Sequence, residues 1–237
     1  MTYVGGKQKL SKFICPILQK ELDNGNYTAY IEPFGGGGNI ISNINYNKRC
    51  YYDKNYYLVE FWKALKSGWD MPEPSSINKE IYDKVRDSFK KRNGEYPDYY
   101  YGYMMFIPSY NGKMWGSYAK DNETHKYCDE HTRNVLKQLE SMSTVDFYSE
   151  DYSNLSFENC LIYCDPPYKD SKKQYYDENF NYDNFYDWCR EQSKNNKIYI
   201  SETNMPDDFK IVWQKDYKRT LSNQTKGIKT VEKLFTI

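Results

Sequence analysis

The chain has 237 residues with 33 basic and 33 acidic side chains, a formal net charge of zero. Only 39% is hydrophobic and the mean hydropathy is -0.97, yet 27 Tyr, 11 Phe and 5 Trp supply rings that bury well. That aromatic content excludes a disordered chain, and no run approaches the ~18 apolar residues of a membrane span.

Residues 1 to 12 lack an apolar stretch followed by a small-residue cleavage site, which predicts a protein that is not secreted and stays in the cytoplasm. The six cysteines form no CxxC pair and read as free thiols of a reducing compartment. His125 and His131 lack a partner Cys pair, so no metal site is expected.

In chain order, Thr28 to Glu32 reads as a strand stopped by Pro33 and the glycines Gly35 to Gly38. Asn39 to Ile44 has helical spacing, and Arg49 to Tyr52 is a second strand ending at Asp53. Helices are predicted over Leu58 to Leu65, Ser76 to Lys91 and Glu130 to Ser141, the last with Val135, Leu136 and Leu139 on one face. Between them a Tyr-rich block, Tyr96 to Tyr118, carries Asn111-Gly112, which predicts a β-hairpin. Strands follow at Val145 to Tyr148 and Leu161 to Cys164, then a helix at Tyr182 to Ser193. A strand at Lys197 to Ser201 and two more at Ile211 to Gln214 and Val231 to Ile237 complete the series. The alternation predicts an α/β fold, a sheet with helices on both faces, interrupted by a mainly helical insertion with a hairpin at 59–137. Residues 1–58 and 138–237 then form the catalytic domain.

Two constellations carry chemistry. In Glu32-Pro-Phe-Gly-Gly-Gly-Gly38, glycines after a strand let the backbone approach a nucleotide-like ligand closely. No Gly-Lys-Ser/Thr follows, so a phosphate cradle is disfavoured. Asp53, 18 residues after Gly35, stands where a carboxylate holds a ribose diol. In Asp165-Pro166-Pro167-Tyr168, two prolines fix the backbone and remove two N–H donors, so the turn offers carbonyl oxygens only. A carboxylate, a rigid carbonyl and an aromatic ring suit the grip of a planar exocyclic amine. Hydrogen bonds to Asp165 and the Pro166 carbonyl would pull that amine toward tetrahedral geometry, while Tyr168 stacks on the base.

These motifs together resemble DNA N6-adenine methyltransferases of the Dam-type family, in the alpha motif order. Tyr3-Val-Gly-Gly-Lys7 is similar to the family's N-terminal Trp-Ala-Gly-Gly-Lys. The Glu32–Gly38 run matches the methyl-donor motif, Asp53 the ribose-binding acid, Asp151-Tyr152 the third motif and Asp165–Tyr168 the catalytic tetrapeptide. Tyr82 to Phe89 resembles a recognition-domain helix, and Glu232-Lys-Leu-Phe235 a family ending.

The resemblance implies a Rossmann-like methyltransferase sheet, S-adenosylmethionine as donor with S-adenosylhomocysteine as product, no metal, and double-stranded DNA as partner. It implies catalytic Asp165, Pro166, Pro167 and Tyr168. The donor would be held by Tyr3, Gly6, Lys7, Glu32, Phe34, Gly35, Gly37, Asp53, Asp151, Tyr152 and Asp165. The insertion would read the target through Tyr110, Asn111, Lys113 and Trp115; the other reading of those aromatics is a small-domain core. The family's loop often carries an arginine shortly after Asn-Gly, where Lys113 and Trp115 stand here, so the resemblance does not fix GATC as the site. Methylation of RNA adenine and a catalytically inactive DNA-binding relative are the alternatives. Zero net charge asks for local basic patches to meet phosphates. Lys84, Arg86, Lys90, Lys91 and Arg92 form one candidate. Lys210, Lys215, Lys218, Arg219, Lys226, Lys229 and Lys233 form the other.

Overall fold

A computed structural model of the protein describes residues 1–122, 124–169, 180–219 and 228–237. Seven strands form one sheet: β1 (Ala29–Glu32), β2 (Arg49–Asp53), β3 (Val145–Ser149), β4 (Cys160–Cys164), β5 (Lys197–Glu202), β6 (Lys210–Arg219) and β7 (Ile228–Thr236). Their order is β3-β2-β1-β4-β5-β7-β6. The first five are parallel, and β7 runs antiparallel between β5 and β6. Order reverses between β1 and β4, the switch point where open α/β sheets leave a crevice at the strands' carboxyl ends.

Every residue of β1 and β4 is buried, as expected for parallel strands covered on both faces. Alternation divides them between two cores. Tyr30, Tyr51, Phe147, Leu161, Tyr163 and Tyr199 point to one face, and Ile31, Cys50, Ile162, Cys164, Ile198 and Ile200 to the other. The first face is covered by α1 (Ser11–Asn24), α2 (Tyr56–Lys66), α3 (Lys79–Lys91), α4 (Asp98–Phe106) and α5 (Tyr127–Met142); α6 (Tyr182–Gln192) covers the second. Asparagine starts three of these helices. The side chains of Asn55, Asn78 and Asn181 accept from the backbone N–H of Leu58, Ile81 and Asn184, which satisfies donors that a helix start leaves free.

Segment 59–137 shares the first core, with Phe61, Trp62, Tyr82, Tyr103 and Val135 in the same apolar cluster as the sheet residues. Its two ends fall inside α2 and α5.

Four local expectations need correction. Residues 39–44 hold only a 3-10 turn, Ile41–Asn43, because Asn43 turns its side chain back onto the Asn39 carbonyl. On α5, Leu136 is exposed; the buried face is Cys128, His131, Thr132, Val135 and Met142. α1 and α4 were not anticipated as helices.

The fourth is the hairpin. Asn111 and Gly112 do take the left-handed dihedrals that the pair predicts, φ 57° and 61°. The flanks nevertheless make one bridge only, Ser109 to Tyr118, and Tyr110–Gly112 is a 3-10 turn. Pro108 has no N–H for a ladder, and the chain curls at once through the Gly116 N–H to Lys113 carbonyl bond, 3.0 Å. Trp115 packs against Phe89 and Tyr82 at ring separations of 5.2 and 5.8 Å and joins the core from its edge. Trp115→Ala is expected to destabilise the protein by about 2–3 kcal/mol, less than a fully buried Trp. A melting curve unchanged from wild type would contradict that packing role.

Candidate active site

The motif residues meet at the carboxyl ends of the parallel strands. Glu32 ends β1, Asp53 ends β2, Asp165 follows β4 and Glu202 ends β5. The N-terminal segment closes over this edge. Tyr3 packs on Phe106 at 5.4 Å, a turn from the Gly6 N–H to the Tyr3 carbonyl follows, and Lys7 enters the site just before α1.

Lys7 is 5% exposed and donates to Asp165 Oδ1 at 2.6 Å. Its ammonium also stands 3.8 Å from Glu232 Oε1 and 4.6 Å from the centroid of the Tyr168 ring. Tyr168 is itself 5% exposed and donates its hydroxyl to Glu232. Burial and the surrounding carboxylates hold that hydroxyl well above its ordinary pKa, so it remains a donor. Stacking alone asks only for a ring at position 168; the Glu232 bond gives the hydroxyl a task as well.

The Gly-rich turn lies between Tyr3 and Tyr51. A Cβ at Gly35 would enter the Tyr51 ring at 2.1 Å, and one at Gly37 would meet the Tyr3 Cβ at 2.8 Å. These glycines therefore serve close packing within the site wall, beyond the approach of a ligand. Asp53 braces the turn: Oδ2 accepts the Gly36 N–H at 2.9 Å and Oδ1 the Asn55 N–H at 2.8 Å. Each oxygen keeps a further lone pair for a diol. Burial raises the Asp53 pKa above its ordinary value against those two bonds. Asp151 caps the turn after β3 through Ser153 N–H at 2.9 Å, and Tyr152 packs with half-buried Phe34 at 5.2 Å. A buried carboxylate, an aromatic wall and a backbone loop thus stand on adjacent strand ends.

The strand ends crowd carboxylates. Burial pushes the Glu32 carboxyl up to about 8, against a hydrogen bond from the Tyr30 hydroxyl and with nearby Asp165 adding to the rise. Burial likewise pushes Glu202 up to about 7. From an ordinary value of 4.5, the folded state keeps a proton that the unfolded state has lost. Stability therefore falls as pH rises from about 4.5 toward about 8. Urea midpoints at about pH 5 and about pH 8 are expected to differ less in Glu32→Gln than in wild type. An equal slope in both would refute it.

Of the expected DNA-reading residues, Tyr110 and Asn111 are exposed on the 3-10 turn, Lys113 is half-buried beside them, and Trp115 faces the core. The turn sits near the donor side of the site. Met114 Sδ lies 3.4 Å from Asn55 Nδ2, two residues from Asp53. On α3, Lys84, Arg86 and Lys90 pair with Glu95, Asp83 and Asp87, which weakens that basic patch, while Lys91 and Arg92 are exposed. Lys210 and Lys215 are exposed on β6, and Lys226 lies outside the described residues. Sequence reasoning missed Glu202, which carries no motif, and assigned Glu232 no role in the site.

No described helix is long and apolar enough to cross a membrane. The chain is 26% identical over 212 residues to the type II methyltransferase M.FokI of Planomicrobium okeanokoites, covering 81% of this chain and 32% of that protein. It is 26% identical over 203 residues to the type II methyltransferase M.MjaIII of Methanocaldococcus jannaschii, covering 73% and 70%. The chain thus spans about a third of the first relative and most of the second. Among solved structures, the rRNA methyltransferase aviRa of Streptomyces viridochromogenes superposes with TM-score 0.41 at 9% identity, covering 96% of this chain and 84% of that one. The family model for D12 class N6 adenine-specific DNA methyltransferases matches residues 3–237, from the N-terminal Tyr-Val-Gly-Gly-Lys through β7. By that match, across both motif clusters and the whole sheet, the chain belongs to the D12 class of N6 adenine-specific DNA methyltransferases.

Proposed function

We propose that this chain methylates the N6 amine of an adenine flipped out of a short site in duplex DNA, with S-adenosylmethionine as donor. The observation that carries the reading is the Lys7–Asp165 contact of 2.6 Å beside the Gly-rich turn, with the Tyr168 ring against the same lysine. When bound, S-adenosylmethionine supplies an electrophilic methyl group on a sulfonium sulfur.

Asp53 accepts from the ribose hydroxyls, Phe34 and Tyr152 flank the adenine, and the Gly35–Gly38 backbone with Tyr3, Gly6, Lys7, Glu32 and Asp151 lines the remainder. Asp165 and the Pro166 carbonyl accept hydrogen bonds from the two N–H groups of the target amine. The amine lone pair is thereby drawn out of the ring and aimed at the donor, while Pro167 keeps the turn rigid. Stacking of the base on Tyr168 displaces the Lys7 ammonium from the ring face. An adenine in a duplex has its amine occupied by pairing, so the base must leave the stack to be gripped. Target reading falls to segment 59–137, with the turn at Tyr110, Asn111 and Lys113 as the element that meets base edges.

Asp53→Ala is expected to weaken donor binding by about 1.5–3 kcal/mol, the range for a charged hydrogen bond. Unchanged affinity in calorimetry would remove Asp53 from the donor site. The whole reading is tested by mapping N6-methyladenine in DNA exposed to the purified chain and donor, alongside RNA of matching sequence. Methylation confined to one short duplex site is expected. Unselective methylation, or methylation of the RNA alone, would overturn it.

A further inference from the structure

Glu232 stands on β7, a strand that supplies no part of the donor motif or the catalytic tetrapeptide. It is 2% exposed, between Val231, which is exposed, and the apolar run Leu234-Phe235, which fills the two cores. A strand that served only to close the sheet would place an apolar residue there, because a buried carboxylate is costly unless paired. This one is paired twice, and both partners belong to the site. It accepts the Tyr168 hydroxyl and lies 3.8 Å from Lys7 Nζ, whose nearer contact is Asp165 at 2.6 Å.

The geometry points to Glu232 as a positioning residue for base capture: it fixes the rotation of the Tyr168 ring through the hydroxyl and shares the Lys7 ammonium with Asp165. The inference rests on the reading of Asp165 and Tyr168 as the residues that grip the flipped adenine. Two consequences follow from the chemistry. Without the hydroxyl bond the ring loses one restraint on its χ angles, and a base meets a less well preset stacking plane. Without the second carboxylate Lys7 draws harder on Asp165, which then competes less well for the amine protons.

The test uses the full chain with Glu232→Met, which has no oxygen to accept the hydroxyl, Tyr168→Phe and the double variant, on a duplex carrying the mapped site. Three quantities are read: the single-turnover methyl-transfer rate, donor affinity by calorimetry, and brightening of 2-aminopurine at the target position with S-adenosylhomocysteine present. The last reports base capture without turnover. Each single variant is expected to lower the rate by about tenfold and reduce the brightening, with donor affinity unchanged. The double variant is expected to be no worse than the poorer single one, since both act on one bond. Effects that multiply in the double variant would overturn the inference. So would a Glu232→Met protein that melts earlier yet keeps wild-type rate and brightening. If Glu232→Met does not fold, Tyr168→Phe breaks the same bond from its other end, and wild-type rate and brightening there would overturn it equally. Failure of the underlying reading looks different: Asp165→Ala would then retain methyl transfer whatever Glu232 does.

Discussion

Replacement of Asp165 by alanine is expected to lower single-turnover methyl transfer by about a thousandfold, the upper range for loss of one preorganised group. The carboxylate is the charged acceptor in the Asp165–Tyr168 turn, and the two prolines beside it offer carbonyl oxygens but no donor. Its position after the fully buried β4 is rigid, and Lys7 at 2.6 Å fixes its Oδ1. Truncation therefore removes the acceptor and also takes from Lys7 its 2.6 Å carboxylate partner, with Glu232 at 3.8 Å. Asp165→Asn separates these effects. It keeps volume and one carbonyl oxygen, but its amide donors repel the amine protons, so its rate is also expected to fall steeply. Rapid-quench kinetics with labelled donor measures both variants. Rates within tenfold of wild type would refute the catalytic assignment.

The second large effect concerns stability. Lys7→Met is expected to destabilise the protein by about 3–5 kcal/mol, the cost of breaking a buried pair from one side. For a chain of this length that lowers the melting temperature by roughly 6–20 °C. Lys7 is the cation in contact with Asp165 and Glu232, and Glu202 also feels its charge. With the ammonium gone, these carboxylates face each other in a poorly solvated pocket, and their protonated forms gain. The deficit is thus expected to shrink as pH falls and the carboxylates take up protons. Denaturant titrations at several pH values would read this. A deficit that is constant with pH would mean that Lys7 acts by packing of its methylenes instead.

Much of the sheet was legible because parallel strands write themselves as short apolar runs. Ala29–Glu32 and Cys160–Cys164 are stopped by Pro33 and Pro166, so their ends, and hence the site, were marked. The helices that escaped did so for opposite reasons. α1 has Ile14, Leu18 and Leu22 at helical spacing, but Pro16 within it argues against a helix. α4 is buried from Tyr101 to Phe106, so no polar face reveals a period. The Asn111-Gly112 signal was right about two backbone dihedrals and wrong about the element, since strand pairing depends on Pro108 and on Trp115 being drawn into the core. At the strand ends, Asp53 and Asp165 stand out by their place after an apolar strand, and Lys7 only by the family resemblance of Tyr3–Lys7. Glu202 and the Glu232–Tyr168 bond do not, because they depend on contacts across the sheet that no local pattern encodes.

The place of β7 bears on how the protein comes to be active during synthesis. β7 is the last strand of the sheet in sequence, yet it lies between β5 and β6, which precede it. Until it docks, β6 has no partner in the sheet and the edge of β5 stays open. It also brings Glu232 to Lys7 from the far end of the sequence, a contact of very long range that forms late. A chain that lacks β7 therefore already carries the Gly35–Gly38 turn and the Asp165–Tyr168 turn while the cluster of Lys7, Asp165, Tyr168 and Glu232 is incomplete. Completion of that cluster coincides with closure of the sheet, because Glu232 arrives on the strand that joins β5 to β6.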